Sequence, residues 1–103
     1  MKIIPEPISF EWDKGNISKN LKKHNITNQE AQEVFFNQPF IVFEDKKHSS
    51  GESRFQSLGR TNQNKNLFLV FTIRKDKIRI ISIRNMNKKE VKIYENFKTN
   101  SQI

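Results

Sequence analysis

Arg54, Arg60, Arg74, Arg79 and Arg84 are all the arginines of this 103-residue chain, and none lies in its first 45 residues. A guanidinium presents a planar fork of donors that fits a phosphate better than a lysine ammonium does. The rest of the charge is divided in the same way. Residues 1–45 hold five Lys against seven acids, a balance of −2, whereas residues 46–103 hold fourteen basic residues against four acids, a balance of +10. Segregation on this scale points to phosphate or an acidic partner rather than to a solubilising coat of lysines. Beside the arginines stand Glu52, His24 and His48. Such a set can cleave RNA without a metal. The 2′-hydroxyl supplies the nucleophile, so the protein needs only a base, an acid and cations for the charged phosphorane.

Other chemistries fit less well. There is no Cys, hence no disulfide framework and no thiolate metal site. His24 and His48 match no zinc spacing. Gly occurs only at positions 15, 51 and 59, so no glycine-rich phosphate loop can be assembled. We therefore expect neither metal nor cofactor. No signal-peptide apolar region of about 7–15 residues can be drawn, nor an apolar run of about 18, which predicts a cytoplasmic protein with no membrane partner. Apolar residues make up 34% of the chain, enough for one domain over 1–103, with nine Phe filling much of its core.

The elements that must position these residues follow from pattern. Ile8 to Trp12 alternates around Phe10 and reads as a first strand after Pro5 and Pro7. Asp13 is placed to cap a helix through about His24, with Ile17, Leu21 and His24 on its apolar side and Asn25 closing it in the left-handed conformation. Thr27 and Glu30 form a capping box for a second helix, stapled by Ile26 onto Ala31, with Val34 and Phe35 buried and Pro39 beyond its end. Strands are expected at 40–43, about 53–60, 66–74 and 77–84, the last two joined at Lys75-Asp76. Asn87 and Glu90 open a final helix with Met86, Ile93, Tyr94 and Phe97 on its apolar side, and residues 98–103 are expected to fray. The class is α+β, with a mainly antiparallel sheet of four to five strands, two N-terminal helices and one C-terminal helix.

Alternation restricts which side chains can cooperate. Glu52 and Arg54 share a face if the strand begins early enough, and Ser82 shares one with Arg84. Arg79 and Arg84 are five apart and fall on opposite faces under strict alternation. Either a bulge intervenes, or Arg84 lies past the strand end, or only one of them serves a site. Each residue also has a plain structural alternative. His24 can pack at its helix end, His48 can be simple surface, and Glu52 with Arg54 can be an exposed ion pair. Tyr94 can be core with a wet hydroxyl, and Lys88, Lys89 and Lys92 a solvated helix face.

Four stretches taken together sharpen the picture. Phe10-Glu11-Trp12-Asp13 is followed by Asn20 and Lys23-His24, then by Ala31 and Val34-Phe35. Gly51-Glu52-Ser53-Arg54-Phe55 runs on to Leu58-Gly59. Arg79-Ile80-Ile81-Ser82-Ile83-Arg84 precedes Lys89-Glu90 and Tyr94. In order and spacing, from about residue 10 to residue 95, this resembles the BrnT family of type II toxins. The resemblance implies a RelE-like fold and an endoribonuclease that arrests translation. It also implies neutralisation by a BrnA-like antitoxin whose ribbon-helix-helix portion makes the contact with operator DNA, with a possible dimer inside that complex. By similarity Lys23, His24, Glu52, Arg54, Arg79 and Arg84 become site candidates, with Arg60 and Lys89 as further RNA contacts. Three departures stand out, one of them Asn85-Met86 in place of a customary basic-then-Ala pair. Asn25 replaces a customary Gly, and Ile83 replaces a small residue, where it either narrows a groove or packs inward. The competing expectation is a non-catalytic basic module that docks RNA or an acidic protein, or a degenerate toxin that keeps antitoxin binding alone.

Overall fold

The alternating stretches form four strands in the computed structural model, which describes residues 4–15, 25–48 and 51–101. They are β1 (Ile41–Glu44), β2 (Arg54–Arg60), β3 (Asn66–Arg74) and β4 (Lys77–Asn85), in one antiparallel sheet of order β1-β2-β3-β4. Lys75 and Asp76 join β3 to β4 with φ of 50° and 63°. Both are left-handed, as a two-residue turn matched to the sheet twist requires, even without the favoured Asn-Gly pair.

One face of this sheet is apolar. Leu67, Leu69 and Phe71 of β3 lie beside Ile78, Ile80 and Ile83 of β4, all fully buried. Helix α1 (Asn28–Glu33) and a 3₁₀ turn (Val34–Phe36) cover them. The expected capping box is present. The Glu30 amide donates to Thr27 Oγ1 at 3.1 Å, and the Thr27 amide donates to Glu30 Oε1 at 2.9 Å. Ile26 and Ala31 are buried in the same cluster, as a hydrophobic staple requires. Phe35 meets Phe10 at 5.3 Å and Phe71 at 5.2 Å between ring centroids, both edge to face. Gly59 of β2 lies directly beneath Val34, whose side chain a Cβ there would strike.

The opposite face is covered at one end only. Helix α2 (Lys88–Ser101) starts from a second capping box, in which Asn87 and Glu90 exchange bonds of 2.9 and 2.8 Å. It packs through Tyr94 onto Ile41, Leu58 and Phe68. The Tyr94 hydroxyl donates to the Pro39 carbonyl at 2.7 Å, so Tyr94 is core with its hydroxyl satisfied by backbone. Ile93 and Phe97, expected on the same apolar side, are instead exposed. They lie on the flank of a helix whose contact with the sheet is concentrated at Tyr94. The helix also continues through Lys98 to Ser101, where fraying had been expected.

The first strand is reduced to one parallel bridge between Phe10 and Ile78. Ile78 donates to Ser9 O and Glu11 donates to Ile78 O, both at 2.8 Å, before the chain turns at Lys14 and Gly15. Residues 9–11 thus run along the free edge of β4 as an arm. Two α-helices are described where three were expected. The expected first helix, with Ile17, Leu21, Lys23 and His24, lies almost wholly outside the described residues. At its edges, Asp13 Oδ1 accepts from the Gly15 amide at 2.8 Å, as a cap does. Asn25 has φ of 56°, the conformation for which Asn can replace Gly.

Candidate functional site

The partly open face of the sheet carries most of the expected site. Arg54 on β2 lies opposite Thr72 on β3, which lies opposite Arg79 on β4. Residues in register across three strands share a face, and two strand spacings put the Arg54 and Arg79 backbones about 10 Å apart. The five-residue problem is solved by a bulge. Val70 pairs with Ser82 and Phe71 pairs with Ile80, leaving Ile81 as the extra residue. That insertion brings Arg79, Ser82 and Arg84 to one face, while Ile83 turns inward and is fully buried. Ile83 therefore packs in the core and leaves the open face untouched.

Arg74, Arg79 and Arg84 on this face are each met by carboxylates. Arg79 Nη1 donates to Glu11 Oε1 at 3.0 Å and to Asp13 Oδ2 at 2.7 Å, and its Nη2 donates to Asp13 Oδ1 at 2.9 Å. Arg74 grips Glu52 through Nε at 2.7 Å and Nη2 at 3.2 Å, and stands 3.9 Å from Glu11. The result is a chain of alternating charge: Glu52, Arg74, Glu11, Arg79, Asp13. Hydrogen bonding to Arg79 holds the Asp13 carboxyl below its usual range, and hydrogen bonding to Arg74 does the same for Glu52. A carboxylate so stabilised is a weaker proton acceptor. Glu52 precedes β2 rather than lying in it, and its bidentate partner is Arg74 rather than Arg54.

Arg84 is engaged differently. It donates to both oxygens of Glu90, at 2.8 and 3.0 Å, and its guanidinium carbon lies 4.1 Å above the Phe68 ring. The partner is the carboxylate that closes the α2 capping box, so Arg84 ties helix to sheet. Lys89 is exposed on the first turn of α2, beside a surface groove that Phe43, Gln56, Phe68 and Ile93 help to line. Arg60 sits at the far end of β2, six residues or about 20 Å from Arg54. Its guanidinium clamps Gln38 O at 2.9 Å and Asn64 Oδ1 at 2.7 Å, so it is remote from the Arg54–Arg79 pair and occupied by loops. Lys23 and His24 lie outside the described residues, as does the side chain of His48. Among the described residues no three carboxylate or imidazole side chains gather as a metal site would need.

Glu11 and Asp13 were not foreseen as site residues. The signal was present: alternation that turns Phe10 inward turns Glu11 outward beside β4.

A family model for "Ribonuclease toxin, BrnT, of type II toxin-antitoxin system" matches residues 12–90. The chain belongs to the BrnT family. The matched span begins at Trp12 and ends at Glu90. It thus takes in Asp13, Glu52, Arg54, Arg79 and Arg84, and leaves Glu11 just outside. No curated protein matches the chain. Membership in the BrnT family makes this a chain of the ribonuclease-toxin kind, for which an antitoxin partner and an RNA target are implied. No described helix is long and apolar enough to cross a membrane.

Proposed function

We propose that this chain is a type II toxin that cuts RNA on the Arg54–Arg79 face of its sheet, without a metal, and so arrests translation in the cytoplasm. Arg54 and Arg79 stabilise the charge of the in-line transition state formed when the 2′-hydroxyl attacks. His24, or Glu52 once Arg74 releases its carboxylate, handles protons, with Lys23 and Lys89 adding contacts to the RNA. A RelE-like fold and neutralisation by a BrnA-like ribbon-helix-helix antitoxin complete the reading, with operator DNA and any dimer belonging to that complex. The observation that carries it is the register Arg54–Thr72–Arg79, which brings two guanidinium groups to one face.

Purified protein is expected to cleave RNA in EDTA and to arrest growth of a host cell on expression. Arg79→Ala should lower the cleavage rate by about 10²–10³-fold. RNA binding without cleavage under those conditions would leave only a docking module.

A further inference from the structure

The arm places two carboxylates on one guanidinium. Asp13 grips Arg79 end-on with two bonds, the geometry a phosphodiester's two free oxygens would use. The Arg79 side chain is only 14% exposed, whereas that of Asp13 is 53% exposed, so Asp13 lies on the solvent side. One positive charge faced by two negative ones repels a phosphate, and one carboxylate must leave before RNA can take Arg79.

The Asp13 carboxylate accepts two bonds from Arg79 and one from the Gly15 amide, and that of Glu11 accepts one from Arg79, but the backbones that carry the two are differently anchored. Glu11 sits in the stretch that hydrogen-bonds to Ile78 of β4, and its carboxylate also lies 3.9 Å from Arg74. Asp13 lies two residues beyond that bridge, in a turn. The turn is built close against the guanidinium, because a Cβ on Gly15 would come within 3.0 Å of Arg79 Nη2 and 3.1 Å of Asp13 Oδ1.

From this geometry we infer that the Asp13 carboxylate stands in a phosphate subsite, and that an RNA phosphodiester replaces it on Arg79 while Glu11 stays. The inference rests on the RNA-cleavage reading above and adds to it the atoms that hold one phosphate and the group that guards them. The negatively charged first part of the chain thus supplies the resident anion for an arginine of the positive part.

The test is the affinity for a 2′-O-methyl oligoribonucleotide, which cannot be cut through its 2′-oxygen, measured by fluorescence anisotropy over a range of salt. Asp13→Asn is expected to tighten binding about tenfold at low salt. Glu95→Gln, on the exposed side of α2, makes the same charge change and is expected to alter it less than about threefold. In an Arg79→Gln background the Asp13→Asn gain should shrink to the size of that control. Asp13→Ser keeps an oxygen for the Gly15 amide and serves if the Asn variant does not fold. A gain no larger than that of Glu95→Gln, or a loss of affinity, overturns the subsite while leaving RNA binding intact. Absence of binding by the wild type and by every variant overturns the RNA reading and the subsite with it.

Discussion

Arg79 and Arg84 lie on one face of one strand, each gripped by a carboxylate through two bonds, yet they are built for different tasks. The partner of Arg84 is anchored by structure. Glu90 caps α2, its side chain is only 16% exposed, and the Phe68 ring backs the guanidinium. The partners of Arg79 sit on an arm tied to the sheet edge by a single bridge, the outer one in a turn. Ion pairing alone does not separate a structural arginine from a poised one; the anchorage of the carboxylate does. A family resemblance puts both arginines in the site. Geometry assigns Arg84 chiefly to holding the helix on the sheet.

Inserting one Ala between Ser82 and Ile83 breaks the comparison most completely. Deleting the extra residue, Ile81, would only restore strict alternation with the same β3 partners, but an added residue reverses the faces, so either Ile78 and Ile80 or Ile83 must turn out of the core. Each buried Ile that becomes exposed costs about 1.5–3 kcal/mol. The insertion is therefore expected to abolish cooperative unfolding followed by circular dichroism, and native-like melting would show that pairing with β3 does not fix the common face of Arg79 and Arg84.

The next largest effect separates the two arginines directly. Arg84→Ala leaves Glu90 partly buried without its partner and should lower stability by about 2 kcal/mol. Cleavage per folded molecule should stay within about tenfold of wild type. Arg79→Ala should do the reverse, losing activity with little change in the denaturant midpoint. A large activity loss in folded Arg84→Ala protein would return that residue to the site.

The bulge also marks how far sequence reasoning reaches. Alternation and β-branched content make four strands legible to within a residue or two, and both capping boxes are read from side-chain chemistry. Those signals are local. The bulge is not, because Ile80, Ile81 and Ile83 are equally apolar and only pairing with β3 decides which is the extra residue. Charge pairing is equally non-local. Glu11 and Asp13 are separated from Arg79 by more than sixty residues, and no periodicity connects them. The flank position of Ile93 and Phe97 likewise depends on where α2 meets the sheet, which the helical period leaves open.

The smallest predicted effect is a pH dependence that sharpens the structural half of the comparison. Hydrogen bonds from Arg84, aided by the Asn87 amide, hold the Glu90 carboxyl below its ordinary value of 4.5 despite partial burial. A carboxyl whose pKa is lower in the folded state stabilises the protein above the unfolded pKa, and the contribution fades as pH falls through the folded one. Stability should therefore be flat from neutrality to about pH 5 on this account and decline below about 4.5, where unfolded Glu90 begins to take up protons. Glu90→Gln removes this group's share, about 1 kcal/mol near neutral pH, and should make the acid decline shallower. Asp13→Asn removes a carboxyl that is also shifted down, but one held by an exposed turn. If the geometry assigns the two ends correctly, urea midpoints measured against pH will change more for Glu90→Gln than for Asp13→Asn, and RNA affinity will change in the opposite order. Equal changes in both measurements would remove the distinction between the two arginines.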